Sequence, residues 1–366
     1  MKVSRSGKLL GLATAGAFAL TACGSGNNTT TTSGGTGTTG GTAAAYCAKG
    51  SLSGQGSTFQ LNAELQWIKD YDAKCSSQIA YQGTGSGAGK TAFGNGTADF
   101  GGTDSLPKDP EQKAADTRCG SGNKGVVTPI VAGAVVITYN LAGVDKLVLS
   151  PKTVAGMFQG TIKTWDDAAV KADNPDAKLP SIPVVPVHRN DKSGTTKIFS
   201  KWLDTNDKAD WKLGADETLT WPGGQSAKGS DGVTTAASQS KGGITYTELS
   251  FAKQRNLPFA DVKNASGKAV TANGDSVSAA LKTAKVASAN GVTVSPDYAT
   301  TTPEAYPLAA PSYVLTCDKG NKNAALLKGF LTYALTDGKG VLDQLGYAPL
   351  PDDIASKASA QVAGLA

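Results

Sequence analysis

The stretch Arg189-Asn190-Asp191-Lys192-Ser193-Gly194-Thr195-Thr196 lies between an apolar run and an amphipathic one. Residues 182–187 (IPVVPV), before it, have the continuous apolar character of a buried strand. The apolar side chains after it share one helix face: Ile198, Phe199, Trp202 and Leu203. Ser193 is a favoured N-cap residue, so the sequence predicts a strand, a turn and a helix in that order. The backbone N–H groups at such a helix start have no helical partner and favour an anion.

Two earlier turns have the same design, GQGSTF at 54–59 and GTGSG at 83–87. Residues 78–82 predict the strand before the second turn. Ser57 predicts the cap of a helix with Leu61, Leu65 and Ile68 on one face. One Ser- or Gly-rich helix start is ordinary. Three in one chain, one of them beside Arg189, indicate a tetrahedral oxyanion held by many donors.

The folded part of the chain alternates apolar strands with amphipathic helices. Residues 126–139 (VVTPIVAGAVVITY) predict an extended buried strand, and Gly, Pro, Asn and Asp separate the elements. This alternation predicts an α/β architecture with largely parallel sheets. Because about 320 residues exceed one comfortable hydrophobic core, we expect two domains.

Asp104 closes the segment DFGGTD at 99–104, near the end of a predicted strand. A carboxylate repels an anion, unless the anion carries a proton that the carboxylate can accept. Ionised Asp104 would accept a hydrogen bond from the P–OH of a hydrogen phosphate, whereas fully deprotonated sulfate would leave two oxygens facing each other. The residues alone leave open that Asp104 only caps a helix or a turn.

Residues 84–91 (TGSGAGKT) nearly match the nucleotide-binding P-loop pattern GxxxxGK[ST]. The first position is Thr84 instead of glycine, and no convincing aspartate at a strand end supplies a magnesium partner. We therefore expect no nucleotide site here.

The first residues predict export. Lys2, Arg5 and Lys8 precede a 12-residue apolar run at 9–20, which is too short to span a bilayer but suits a signal peptide over residues 1–22. The sequence LTAC at 20–23 resembles the bacterial lipoprotein box, so Cys23 is predicted to become the acylated N-terminus (palmitate); an ordinary signal peptide is the alternative. Residues 24–42 contain only Gly, Ser, Asn and Thr, which predicts a flexible tether within 23–44.

Composition limits the possible functions. The chain has 366 residues, of which 18% are charged, and 32 basic against 30 acidic residues remain without the three N-terminal cations. This balance gives no basic field for nucleic acid. His188 is the single histidine, so a histidine-rich metal site is excluded and a Ser-His-Asp catalyst has one candidate base.

Four cysteines follow Cys23, and their even number in an exported chain predicts two disulfides: Cys47, Cys75, Cys119 and Cys317. Three pairings are possible. We favour Cys47–Cys75 with Cys119–Cys317, because this pairing joins near neighbours first.

The chain resembles the phosphate-binding lipoproteins of bacterial phosphate ABC transporters, a class of periplasmic-type solute-binding protein. The resemblance extends in order from about residue 50 to the C-terminus. Its stretches are GQGSTF at 54, YQGTGSGAG at 81, DFGGTD at 99, GTIKTWDD at 160, HRNDKSGTT at 188, KGSDGV at 228 and GGITYTELSFAKQRNL at 242. It implies two α/β domains, 45–134 plus 310–366 and 135–309, joined by two crossing hinge segments with a ligand cleft between them.

The resemblance also implies roles for individual residues. Hydroxyl and amide donors to phosphate would come from Thr58, Phe59, Ser86, Ser193, Gly194 and Thr195. Ser57, which is not part of the family pattern, would add an extra hydroxyl beside Thr58. Asp104 would take the ligand proton, Arg189 would be the direct cation, and Asp191 would orient Arg189. The chain departs from the usual pattern at Lys192, which is either a solvated loop lysine or a second cation near the cleft mouth. His188 is expected to pack or face solvent, and the tryptophans are expected in the core.

These features together predict an extracytoplasmic, lipid-anchored receptor, not an enzyme, that captures inorganic phosphate and delivers it to the membrane-embedded subunits of an ABC permease. We expect no cofactor, no metal and no nucleic acid partner. The alternatives are an exported phosphatase, which one histidine and the lack of an acidic cluster disfavour, and a surface-adhesion protein.

Overall fold

The computed structural model describes residues 45–366 of the chain. The predicted signal peptide, the predicted lipid attachment at Cys23 and the predicted tether therefore lie outside the described residues. From Ala45 to Ala366, none of the helices has both the length and the apolar character needed to cross a membrane.

The strands of this part are short, apart from two of 15 and 9 residues. In chain order they are β1 Ser51–Gly56, β2 Gln78–Gly83, β3 Phe100–Thr103, β4 Gly125–Tyr139, β5 Val148–Leu149, β6 Val185–Arg189, β7 Gln225–Ala227, β8 Gly243–Glu248, β9 Asp261–Lys263, β10 Ala269–Val270, β11 Lys285–Ala287, β12 Thr293–Ser295, β13 Ala309–Cys317 and β14 Tyr347–Ala348.

The helices alternate with these strands along most of the chain. They are α1 Leu61–Cys75, α2 Ser86–Gly94, α3 Asp109–Cys119, α4 Pro151–Gln159, α5 Ala168–Asp173, α6 Gly194–Asn206, α7 Gly229–Gln239, α8 Leu249–Gln254, α9 Gly274–Lys282, α10 Ala324–Leu335, α11 Leu342–Leu345 and α12 Asp352–Gly364, with a 3₁₀ turn at Asp337–Val341.

One nine-stranded sheet runs in the order β2-β1-β3-β13-β4-β8-β6-β7, and β14 pairs with β4 beside this path. The outer pairs, β1 with β2 and β3, and β6 with β7 and β8, are parallel. The central strand β4 is antiparallel to β13, β14 and β8. The prediction of largely parallel sheets is therefore wrong at the centre, because the chain runs out along β4 and returns along β13.

Strand β4 divides the sheet into two lobes. Its residues up to Ala134 pair with β13, and those from Val135 onward pair with β8. We call the group β1, β2, β3 and β13 with the first part of β4 the first lobe, and it includes the helices α1, α2 and α3 packed on these strands. The second lobe comprises β6, β7 and β8 with the last part of β4, together with α6, α7 and the loops beside α6. A small sheet (β10-β9-β5) and a two-stranded hairpin (β11-β12) complete the fold.

Several local predictions are confirmed. Strand β4 covers the predicted buried run, and β2 covers 78–82. Helix α6 begins directly after Ser193, whose hydroxyl accepts a hydrogen bond from the N–H of Thr196 at 3.2 Å. Trp67, Trp165 and Trp202 are fully buried, as expected of core residues.

Other local predictions are wrong. The strand predicted at 182–187 begins only at Val185, and helix α2 already begins at Ser86, inside the predicted turn. Helix α1 begins at Leu61 with no side-chain cap, and Leu65 is 49% exposed. Ser57 does not cap α1, because its hydroxyl donates to Asp104 instead. Tertiary bonding here replaces a local cap.

Both disulfides follow the favoured pairing. Cys47 is bonded to Cys75, so this bridge connects the segment before β1 to the last residue of α1. Cys119 is bonded to Cys317 and joins the end of α3 to the end of β13, over a sequence separation of 198 residues. The second bridge thus closes the first lobe between distant parts of the chain.

Candidate anion-binding site

The three predicted helix starts lie together, and a fourth joins them. The hydroxyl of Ser86, in the first turn of α2, accepts the N–H of Gly194 at the start of α6, at 3.2 Å. The hydroxyls of Thr58 and Ser230 lie 2.7 Å apart, and Thr58 Oγ1 also accepts the N–H of Ser230 at 3.3 Å. Ser230 belongs to the first turn of α7. Both contacts join the first lobe to the second.

Strand register explains why the first-lobe residues meet. Gly56, the last residue of β1, is aligned with Gly83 of β2 and with Gly102 of β3. Parallel strands present their carboxyl ends at the same edge of a sheet, where ligands bind in α/β folds. Ser57 and Asp104 follow β1 and β3 at that edge.

Asp104 is buried among hydroxyl donors. Its Oδ1 lies 2.5 Å from the hydroxyls of Ser57 and Ser312, and its Oδ2 accepts from the hydroxyl of Ser86 at 3.1 Å. Burial raises the pKa of Asp104 to about 6, although hydrogen bonds from Ser312 and Ser57 oppose this rise. The carboxylate is therefore ionised at neutral pH and loses its charge in mild acid.

Two glycines permit close packing at the site, one beside Asp104 and one beside Asp191. A Cβ at Gly194 would lie 2.5 Å from Asp104 Oδ2 and 2.6 Å from Ser86 Oγ, so only glycine lets α6 approach Asp104. Gly85 has φ +97, which disfavours other residues, and a Cβ there would lie 2.4 Å from Asp191 Oδ2.

Arg189 is the cation of the site, and Asp191 holds it. Its Nε and Nη2 donate to the two oxygens of Asp191 at 2.6 and 2.5 Å. Burial of Asp191 opposes its ionisation, but the bonds and charge of Arg189 prevail and keep the pKa of Asp191 below its ordinary value. Nη1 of Arg189 points instead to the hydroxyls of Thr195 and Ser230, at 3.4 and 3.3 Å. The Nη1 edge of the guanidinium thus faces a group of hydroxyls that we call the hydroxyl cluster: Thr58, Thr195 and Ser230.

Three residues at the site were missed in the sequence: Ser230, Ser312 and Glu248. The segment KGSDG at 228–232 has the same design as the other helix starts and would have identified Ser230. Glu248 is 1% exposed and accepts the hydroxyl of Thr195 at 2.5 Å; its Oε2 has no partner among the described residues. Glu248 and Ser312 reach the site from β8 and β13, with no local signal.

Two predicted ligand contacts are already engaged within the protein. The hydroxyl of Ser193 caps α6, and the N–H of Phe59 donates to the hydroxyl of Ser57 at 2.9 Å. The Phe59 ring is fully buried, with its centroid 6.4 Å from that of Tyr347. His188 packs as expected, since its ring stacks on Trp221 at 4.8 Å and burial lowers its pKa.

Residues 84–91, which nearly match the P-loop pattern, contribute a lysine to a buried ion pair. Lys90 is 2% exposed, and its Nζ lies 2.8 Å from Glu217 and 3.1 Å from Glu111. Lys192 also pairs with Glu111 and lies 3.5 Å from Glu217, so it is not a purely solvated lysine. Lys90 and Glu111 belong to the first lobe. In the second lobe, Lys192 precedes α6 and Glu217 follows it. The four residues form an ionic bridge between the lobes.

Replacing Lys90 tests this bridge. Lys90→Met leaves Glu217 without its buried cation, and we expect the free energy of unfolding to fall by about 3–5 kcal/mol in denaturant titrations. In Lys90→Met/Glu217→Gln, much of this loss should be regained.

The matched control is Lys108→Met, which removes a cross-lobe pair with Asp216 whose partners are 53% and 45% exposed, and which should change stability little. Equal stabilities of Lys90→Met and the wild type, together with an unchanged radius of gyration in solution scattering, would contradict the bridge.

The residues described, 45–366, include no group of three or more His, Cys, Asp or Glu side chains that could hold a metal ion. The chemistry offered is therefore that of hydrogen-bond donors, one paired arginine and buried carboxylates. Such a site can bind an anion that also carries a proton.

Comparisons with known proteins agree with this fold. Residues 29–338 match the family model described as a PBP superfamily domain. Phosphate-binding protein PstS 3 of Mycobacterium tuberculosis is 35% identical over 376 aligned positions, covering 100% of both chains. Phosphate-binding protein PstS 2 of the same organism is 36% identical, covering 99% of both.

A solved structure has the same fold. It is that of a high-affinity periplasmic phosphate-binding protein (PfluDING) bound with phosphate, with a TM-score of 0.68 and 23% sequence identity. The match covers 85% of this chain and 93% of that structure. The fold is thus the two-domain fold of periplasmic binding proteins, as the sequence predicted. Within that superfamily, the chain belongs to the PstS family of phosphate-binding proteins.

Proposed function

We propose that this protein binds inorganic phosphate outside the cytoplasm and delivers it to the membrane subunits of an ABC transporter. The single observation that carries the proposal is the burial of Asp104 among hydroxyls at a point where helix starts from both lobes meet. The family to which the chain belongs supports the same ligand.

Charge balance at the site favours a protonated oxyanion. Arg189 is largely neutralised by Asp191, while Asp104 and Glu248 are also buried nearby. A ligand anion must therefore be stabilised mainly by N–H and O–H dipoles and by helix starts. The proton on a hydrogen phosphate turns its contact with Asp104 from repulsion into a hydrogen bond. Sulfate has no such proton near neutral pH.

The lobe arrangement supports capture by closure. We propose that residues 45–134 plus 310–366 form one domain and 135–309 the other, joined at β4 and β13. The change of β4's partner at Ala134 and Val135 supports this division. Within the second proposed domain, the segment that includes α9, β11 and β12 contacts β4. One of these contacts is a bridge between Gly291 and Val127, so this segment also connects the second domain to the first.

The same site supports binding without catalysis. The single histidine, His188, stacks on Trp221 and is not a candidate base beside the hydroxyl cluster.

Acylation of Cys23 would hold the receptor at the membrane, and the segment LTAC at 20–23 supports this anchor. Cys23→Ser should release the protein from the membrane fraction; its retention there would contradict the lipid anchor.

Calorimetric titration tests whether the protein binds phosphate and rejects sulfate. After removal of copurified phosphate, the purified protein should bind one phosphate and give no heat with sulfate at neutral pH. In Asp104→Asn, an amide donor replaces the acceptor, so phosphate should bind at least about tenfold more weakly and sulfate should now bind.

Asp353→Asn removes the same charge at an exposed position of α12 and should behave like the wild type. A folded, phosphate-free wild-type protein that binds no phosphate would overturn the proposal. Release of phosphate from a chromogenic ester would point to a phosphatase instead.

Protonation of Asp104 gives a pH prediction. Because the pKa of Asp104 is about 6, the carboxyl is ionised above that pH and becomes a donor below it. Sulfate binding by the wild type should therefore appear as the pH falls through about 6. In Asp104→Asn it should not change over that range. Titrations with sulfate between pH 5 and 8 measure this, and a wild-type protein that rejects sulfate equally throughout would contradict the assignment.

A further inference from the structure

A chain of buried polar side chains lies behind Asp104, on the side away from the second lobe. Ser312 Oγ is 2.5 Å from Asp104 Oδ1 and 2.6 Å from Gln60 Oε1. Gln60 Nε2 is 2.9 Å from Glu64 Oε1. Ser312, Gln60 and Glu64 are all fully buried, so they have to satisfy one another. This series of hydrogen bonds, which we call the chain in this subsection, links the carboxyl of Glu64 to that of Asp104.

Counting hydrogens restricts this chain to two arrangements. The hydroxyl of Ser312 has one hydrogen and cannot donate to both Asp104 and Gln60. The hydrogen-bond network decides which end of the Gln60 amide faces which neighbour. If Ser312 donates to Asp104, the Gln60 amide nitrogen must donate to Ser312. The amide oxygen then faces Glu64, which must carry a proton to donate.

The opposite arrangement moves that proton. If Glu64 is ionised, it accepts from the Gln60 amide nitrogen, and the amide oxygen takes the hydroxyl hydrogen of Ser312. Asp104 must then be protonated to bond with Ser312 at 2.5 Å. Each arrangement thus places one proton on the pair of carboxyls, and the direction of the chain decides which carboxyl holds it.

The surroundings place the proton on Glu64. Ser57 accepts the N–H of Phe59, which leaves its own hydrogen for Asp104, and Ser86 donates to the other oxygen. Among the described residues, the Glu64 carboxyl has Gln60 as its one hydrogen-bond partner, through Oε1, and its Oε2 has none. Burial raises the pKa of Glu64 to about 8, above that of Asp104, in agreement with this geometry.

The same chain fixes which oxygen of Asp104 faces the ligand. Ser57 and Ser312 occupy Oδ1, whereas Oδ2 lies toward the start of α6, 2.5 Å from the Cβ position of Gly194. We propose that Glu64, Gln60 and Ser312 are positioning residues that keep Asp104 ionised, with Oδ2 as the acceptor of the ligand's proton. This inference rests on the proposed function, since it concerns the phosphate site itself.

Ser312→Ala tests the link to Asp104. Loss of one donor raises the pKa of the Asp104 carboxyl, so phosphate should bind at least about tenfold more weakly at neutral pH. The onset of sulfate binding should move to higher pH than in the wild type. Ser312→Thr keeps the hydroxyl and suits a strand, so it should restore both properties. Both are measured by calorimetry between pH 5 and 8, with thermal unfolding to confirm the fold.

Glu64→Gln tests the direction of the chain. The glutamine amide nitrogen can donate to Gln60 as protonated Glu64 does, so the ratio of phosphate to sulfate affinity should stay within about threefold of the wild type. Glu64→Leu removes the donor and should lower that ratio. If Ser312→Ala does not fold, the two Glu64 variants decide the question.

The outcomes separate this inference from the proposed function. A wild-type protein that binds no phosphate defeats the proposed function. Altered selectivity in Asp104→Asn with wild-type ratio and pH dependence in Ser312→Ala overturns the positioning chain alone. A change of more than about threefold in Glu64→Gln overturns the chain as well, because the glutamine amide supplies the donor that protonated Glu64 would supply.

Discussion

The burial of an ionised carboxylate at the meeting point of two lobes is the constraint on which the rest of this structure depends. Removing a carboxylate from water is costly unless hydrogen bonds replace the lost hydration. Asp104 receives hydroxyl donors from the residue after β1, from α2 and from β13. These donors require the parallel edge of β1, β2 and β3, the return of β13 beside it, and a glycine where α6 approaches.

Several described contacts between the lobes are polar, and this suits the opening that we propose. Thr58 and Ser230 join through hydroxyls, and Lys90 pairs with Glu217 in the interior of the bridge. Each of these groups can be hydrated in the open state that we propose. A buried ion pair adds little net stability but penalises the loss of either partner. In the closure that we propose, the bridge therefore contributes more to the geometry of the closed state than to its overall stability.

The sequence was informative wherever a feature is local. Helix α6, its cap Ser193 and the turn that holds Arg189 and Asp191 could be predicted, because neighbouring residues determine them. The role of Ser57 could not, since a helix cap and a donor to Asp104 use the same residue type. Ser312 lies 208 positions from Asp104 and Glu248 lies 53 from Thr195, so only the strand pairing reveals them. The antiparallel centre of the sheet was missed for the same reason.

Discrimination between two tetrahedral dianions of similar size cannot come from shape, and it has to come from the direction of a single hydrogen bond. An acceptor at that position works only while it stays ionised, and burial works against its ionisation. A second carboxyl, deeper and with fewer donors, can hold a proton in place of the first if a directional chain connects them. Glu64, Gln60 and Ser312 form such a chain, so the selectivity of Asp104 depends on residues that never touch the ligand.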